Sequence, residues 1–427
     1  MSAQAMVLDN GMRLVSYAND HFQSVSIGIF TRVGLVQETE HGMAHFLEHM
    51  CFKGTSTLSA EDIASRVDKM GGRINAFTAK EYTCYYLTVL PHFCNEALQL
   101  IRDIYVDASL LPDDIHNERG VILEEIHMTH DAPDDWVHDL FYETIWSTNH
   151  LGRPILGTPE SLNRINHDNL NAFRSHYFVP ENCIVSIAGP TSCLSDVEST
   201  VMRLFHMPNT VHSSAHSYYE TPVTTPLTTL KHRQIEQIHF CLGVKGMRYL
   251  SDHHYAMMIL STILGGSMSS RLFQDIREKK GWAYSIYSYA TFYQHDGLFV
   301  VSGGINKDKF SDTLHCVFDM WESLKTMSCS AAELDKAKQY IKGNFAINLE
   351  KSSSWMSFLA KSIMYHDVVQ SVTDVYDAID SVTIDDIQQV SASIFNRQTM
   401  ALSAIGPFTE SVQGVSGQSV EAVLNQI

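Results

Sequence analysis

The sequence predicts an α+β fold of two similar tandem domains, each a mainly antiparallel sheet with helices packed on one face. Three observations lead there. The chain repeats itself at an offset of 217 residues, strand-like and helix-like segments alternate through both copies, and a Ser/Thr/Pro-rich stretch without helical period separates them.

The repeat is visible by eye. Residues 165–190, INHDNLNAFRSHYFVPENCIVSIAGP, align with residues 382–407, VTIDDIQQVSASIFNRQTMALSAIGP. Asp168 meets Asp385, Leu170 meets Ile387, Phe178 meets Phe395 and Gly189-Pro190 meets Gly406-Pro407, all at that offset. Far from this anchor, Ile27-Gly28-Ile29 meets Leu242-Gly243-Val244 at an offset of 215. The domains are read as 1–210 and 233–427, joined by a linker at 211–232.

Strand composition marks Ser24–Val33, Tyr82–Leu90, Ile184–Ala188, Ile238–Val244, Gly297–Ser302 and Ala401–Ile405. Ser59-Ala-Glu-Asp62 is a capping-box start for a helix to about Met70, where Gly71-Gly72 stops it. Pro112 opens a second helix that runs to about His130, since proline is suited to the first turn. Gly265-Gly266 and Gly303-Gly304 read as turns and not as phosphate loops, because no G-K-[ST] follows.

Composition excludes several function classes. The 427 residues carry a net charge of −18, against a nucleic-acid binder, which needs a basic face. No run of about 18 apolar residues is present to span a membrane, and the first residues lack the pattern of a signal peptide. The eight cysteines are scattered with no C-x-x-C, as in a protein of a reducing compartment, so a cytoplasmic location is expected, or a mitochondrial matrix if this is a mature form.

Histidine is abundant at 22 residues, and a few are placed for chemistry. His45-Phe-Leu-Glu48-His49 is H-x-x-E-H. On a helix, His45 and His49 stand over one another on one face, as two imidazoles must to share an ion. Glu48 lies on the adjoining strip, able to reach a metal-bound water without being a ligand; this is the inverted form of the H-E-x-x-H zinc motif. The competing reading is a polar patch beside a core. The pairs His253-His254, with Asp252, and His130 with His138 are weaker candidates, lacking helical ligand spacing and a base.

A catalytic zinc takes three protein ligands and keeps one position open. In the helix 112–130, Ile115, Ile122 and Ile126 define the apolar face, Glu118 and Glu125 flank it together, and Glu124 points to the opposite side. A carboxylate beside a buried face is costly unless paired or metal-bound, which makes Glu125 the best third ligand and Glu118 its support; the alternative is two carboxylates paired with a nearby Arg or Lys.

These residues resemble the pitrilysin/insulinase family of zinc metallopeptidases. H-x-x-E-H is followed 76 positions after His49 by Glu125, preceded by Glu118-Arg119. The segments GMAHFLEHMCFKGT, GGRINAFTAKEYTCYY, NERGVILEEI, LGRPILGTPESL and SSRLFQDIREKKGWAYSIYSY are similar to the branch of small subunits that includes mitochondrial processing peptidase and its bacterial relatives. The resemblance spans essentially the whole chain. It implies that His45, His49 and Glu125 hold one zinc per chain, that Glu48 is the general base on zinc-bound water, and that Glu118 is a supporting carboxylate. It implies that Arg277 and Tyr284 contact the substrate and its reacting carbonyl, and that Asn75, Ala76 and Phe77 lie on an edge strand that pairs with extended peptide.

The second half has no H-x-x-E-H; around Tyr255–Gly265 it reads YAMMILSTILG. The implied activity is endopeptidase cleavage of extended, unfolded peptides or presequence-like segments inside a chamber. The implied assembly is a homodimer, or a heterodimer with a related subunit. Family members with an eroded motif serve as non-catalytic or structural subunits, and the intact motif argues against that class.

Overall fold

The computed structural model describes residues 3–205, 227–396 and 399–408. The first repeat holds strands β1 (Gln4–Val7), β2 (Arg13–Ala18), β3 (Val25–Thr31), β4 (Arg73–Thr78), β5 (Thr83–Val89) and β6 (Cys183–Gly189). Its longer helices are α1 (Met43–Cys51), α2 (Ala60–Lys69), α3 (Cys94–Val106), α4 (Pro112–Asp131), α5 (Pro133–Ile145), α6 (His167–Tyr177) and α7 (Val197–Leu204). The second repeat holds β7 (Leu227–His232), β8 (Gln237–Lys245), β9 (Ala283–Phe292), β10 (Gly297–Asn306) and β11 (Ala401–Gly406). Its longer helices include α8 (His254–Leu264), α9 (Phe310–Thr326), α10 (Ala331–Asn348), α11 (Ser352–His366) and α12 (Ile384–Ile394).

Two sheets result. The first runs β1-β2-β6-β3-β5-β4 and the second β7-β11-β8-β10-β9. Without β1 the orders coincide strand for strand. Each sheet has one parallel pair, β2 with β6 and β7 with β11, and is otherwise antiparallel. The duplication in sequence is thus a duplication of topology, and the α+β class holds.

In the first sheet, β3 and β6 are buried at every residue. The cause is a covering layer on each face, with side chains alternating between them. Val25, Ile27, Ile29, Leu87 and Ile187 face a core shared with Phe46 and Leu47 of α1, Ile101 of α3, Ile122 of α4 and Leu170 of α6. Phe30, Cys84 and Ile184 face the other way, onto Met356, Leu359 and Ile363 of α11.

That second cover is unexpected from the sequence. Helix α11 lies in the second repeat, yet it packs on β2, β3 and β6; its counterpart in the first repeat, α5, packs on β7, β8 and β11. The two contacts are built alike. Ser186 Oγ on β6 donates to the Met356 carbonyl at 2.7 Å, and Ser403 Oγ on β11, its partner at the 217 offset, donates to the Leu140 carbonyl at 3.2 Å. Glycines make room: a Cβ at Gly28 would stand 2.7 Å from Met356 Sδ, and one at Gly243 would stand 2.7 Å from Phe141 Cζ. These glycines are displaced by two residues in pairing register, since Gly28 sits opposite Ser186 and Gly243 opposite Ala401. A shift of two keeps the same face, so each glycine still lies under its helix.

The described chain accordingly divides into two compact units that are not continuous in sequence: 3–126, 154–205 and 346–370 form one, and 127–153, 227–345, 371–396 and 399–408 the other. The expected linker 211–232 lies outside the described residues up to 226, and its last six residues are strand β7, paired in parallel with β11. Gly303-Gly304 is corrected from a turn to the interior of β10, with a register shift at Gly304/Ile305. There the β9 backbone comes close, for a Cβ at Gly303 would meet the Ser285 carbonyl at 2.6 Å.

Candidate metal centre

Helix α1 is where the polar residues of this motif meet the core. Seven of its nine residues are buried, so its ionisable side chains must find partners inside the protein. Its start is tightly set. The buried Glu38 carboxylate accepts from the Gly42 N–H at 2.9 Å and the Ala44 N–H at 2.7 Å, placing a negative charge at the amino end of the helix. Gly42 has φ +86° and lies against the Leu156 carbonyl, which a Cβ would approach to 2.8 Å.

His45 and His49 lie one turn apart with ring centroids 4.5 Å from each other and planes tilted by 59°. Helix α4 brings Glu125 to them: its Oε2 lies 3.8 Å from His45 Nε2 and 3.6 Å from His49 Nε2. The three residues offer donor atoms all within 4.8 Å of one another, the only such group of three or more among the described residues. The separations exceed hydrogen-bond length and approach the roughly 3.3 Å expected between tetrahedral zinc ligands with bonds near 2.0 Å. Two imidazoles and a carboxylate are also the donor types of catalytic zinc sites, so the residues fit the metal.

The surroundings are specific to each side chain. Glu118 Oε1 lies 2.8 Å from His49 Nδ1, and its Oε2 lies 2.5 Å from Lys53 Nζ. His45 Nδ1 is buried with no hydrogen-bond partner among the described residues. Burial, followed by the neighbouring His49, pushes the His45 ring down to about 3, so it stays neutral and keeps a lone pair for a metal. Glu48 stands beside the donors without joining them, 8% exposed, and accepts from Thr78 Oγ1 on β4 at 2.5 Å. Burial raises its pKa above the ordinary carboxylate range, against the lowering effects of Thr78 and His49.

Glu124, one residue from Glu125, is exposed, while Glu118 is 4% exposed. Asn75, Ala76 and Phe77 lie on β4, the edge strand of the first sheet, next to α1. The Ala76 N–H is held by the Asn75 side chain at 2.8 Å, and Phe77 is partly exposed. Arg277 and Tyr284 belong to the other compact unit. Arg277 sits in the π-helical turn Phe273–Lys279, and its guanidinium lies 5.7 Å from the ring centre of Tyr284 on β9. Tyr284 is 80% exposed.

Two residues beside the donors had no role in the sequence reading: Thr78 and Lys53. The phrase F-K-G-T, two residues after H-x-x-E-H, placed Lys53 near the motif, but only folding reveals which carboxylate it meets. The weaker histidine candidates form no cluster. His138 bonds the hydroxyls of Tyr289 and Tyr287, His130 lies against Trp136, and His254 stacks on Phe292.

Comparison with known proteins gives the same picture. Residues 13–159 match the family described as Insulinase (Peptidase family M16), and residues 164–341 match the Peptidase M16 inactive domain. The chain is 35% identical over 402 residues to the uncharacterized zinc protease YmxG of Bacillus subtilis, covering 93% of this chain and 97% of that protein. It is 36% identical over 411 residues to an uncharacterized zinc protease of Streptomyces coelicolor, covering 94% and 89%. In fold it is similar to a protease from Helicobacter pylori, with TM-score 0.89 and 24% identity over 95% of this chain and 99% of that one. A peptidase M16 inactive domain from Pseudomonas fluorescens matches with TM-score 0.88 and 18% identity, over 96% and 98%. With a His–His–Glu donor set in its first unit and relatives of this extent, the chain belongs to the insulinase, or M16, family of peptidases.

Proposed function

We propose that the protein is a zinc endopeptidase that cuts extended, unfolded peptides, with one zinc per chain on His45, His49 and Glu125. The observation that carries this reading is the position of Glu48: a buried carboxylate beside a metal donor set, outside it, with one oxygen already taken by Thr78. A purely structural or peptide-binding site has no use for such a group.

Zinc at these donors would supply a Lewis acid that polarises the scissile carbonyl and acidifies the attacking water. Glu48 takes the proton of that water through the oxygen that Thr78 leaves free, then delivers it to the leaving amine. Peptide adds as a strand along β4, displacing the Asn75 side chain from the Ala76 N–H, so recognition rests mainly on backbone bonds. Arg277 and Tyr284 meet the substrate and its reacting carbonyl from a second chain in a dimer, for each chain has one donor set and one such pair. The free thiols, most of them buried, suit a reducing compartment.

The second reading, a non-catalytic peptide-binding subunit, draws on the match of 164–341 to an inactive domain; that half lacks the metal motif. Purified protein should contain about one zinc per chain and cleave a quenched fluorescent peptide library, with cleavage abolished by chelator. Glu48→Gln should lower turnover by on the order of 10²–10⁴-fold and keep its zinc. A wild-type chain that binds the peptides without turnover would favour the subunit reading. Zinc lost from Glu48→Gln would make Glu48 a ligand.

A further inference from the structure

The two histidines of the centre are held in different ways. The His45 ring has a buried Nδ1 with no hydrogen-bond partner among the described residues, so packing alone sets its angle. The His49 ring is gripped by Glu118 at Nδ1. Glu118 is 4% exposed, and it divides its two oxygens, one to His49 and the other to Lys53.

We infer that Lys53 is a positioning residue for the metal, acting through Glu118 on His49. This rests on the reading of His45, His49 and Glu125 as zinc ligands. A carboxylate so deeply buried needs a cation or several donors to hold it in place. The Lys53 ammonium at 2.5 Å provides the cation and fixes which way the carboxylate faces. With Oε2 on the ammonium, Glu118 turns Oε1 to His49 Nδ1 as an acceptor, so His49 carries its proton on Nδ1. That leaves Nε2 as the lone-pair nitrogen, and Nε2 is the atom that faces Glu125 at 3.6 Å. The chain Lys53–Glu118–His49 therefore selects the tautomer that can bind metal.

The connection is short in sequence at one end and long at the other. Lys53 follows α1 directly, four residues after His49, while Glu118 comes from α4. The ammonium thus ties together the two helices that supply the ligands. The Lys53 side chain is 35% exposed while that of Glu118 is 5% exposed, so water can reach the carboxylate from the lysine side when the ammonium is removed, and the loss should be felt locally.

Lys53→Met keeps the aliphatic stem and removes the charge. Groups that orient a metal ligand from behind change affinity by roughly 10- to 100-fold when removed, so the zinc Kd, measured by competition with a chromogenic chelator, should weaken by about that factor. Lys53→Arg should recover most of it. The apo-protein Tm should stay within about 3 °C of wild type. Nitrogen NMR of labelled His49 should show the Nδ1–H tautomer in wild type and a mixture in Lys53→Met. A zinc Kd within twofold of wild type in Lys53→Met would overturn the inference. So would weaker binding matched by an equally large fall in apo-protein Tm, which would mark Lys53 as merely structural. Wild-type protein that takes up no zinc would remove the metal reading, and this inference with it.

Discussion

Glu124 and Glu125 are neighbours in sequence with opposite surroundings, one exposed and one facing two imidazoles. Glu125→Gln should weaken zinc binding roughly a hundredfold, about a quarter of the binding energy of a typical four-ligand site, and Glu124→Gln should leave it within twofold. Isothermal titration with zinc separates the two, and equal losses would show that Glu125 holds no metal. The helical spacing of Ile115, Ile122 and Ile126 was enough to choose between these glutamates, because a 100° step per residue is fixed by the backbone itself. The bonds from Thr78 to Glu48 and from Lys53 to Glu118 were not legible, since each joins residues whose proximity depends on how separate elements pack.

At the scale of elements, β4 joins the proposed base to the proposed peptide edge. Ile74 and Ala76 pack against the first core, Thr78 reaches Glu48, and among the described residues no strand lies beyond β4 in its sheet. Ala76→Pro removes the backbone donor that the Asn75 side chain holds in the free protein. Proline is tolerated on an edge strand, so zinc content and Tm should change little while kcat/KM falls about two- to tenfold, the worth of one backbone hydrogen bond. Unchanged kcat/KM across several peptides would remove β4 as the docking edge. The six strands expected from composition all appear, within one or two residues at their ends, except that β10 runs on through Gly303 and Gly304. Local composition marks where a strand begins. It does not show that two glycines continue one, because the reason lies in the backbone of β9 passing alongside.

For the whole molecule, the testable question is whether a site is built from two chains. Glu48→Gln and the double variant Arg277→Ala/Tyr284→Phe should each be inactive alone. Co-expressed, they should recover about a quarter of wild-type activity if sites form between chains, because about half the dimers are mixed and each has one intact site of two. Mixed dimers isolated by two affinity tags and found no more active than the parents would place both elements of a site in one chain.

The sequence by itself determined the duplication, the α+β class, the helix that carries His45, Glu48 and His49, and that Glu125 and not Glu124 shares a side with the histidine pair. All of these follow from local rules: a repeat offset, a backbone period, the capping habits of Ser59 and Pro112. Only the tertiary structure decided that α5 and α11 cover the sheets of the opposite repeats. Each repeat has a helix of suitable apolarity at the same place, and nothing local distinguishes packing on its own sheet from packing on the other. The same holds for the bonds of Lys53 to Glu118 and of Thr78 to Glu48 beside the His–His–Glu group. These bonds run between α1, α4 and β4, elements brought together by a shared hydrophobic core and not by any motif in the chain.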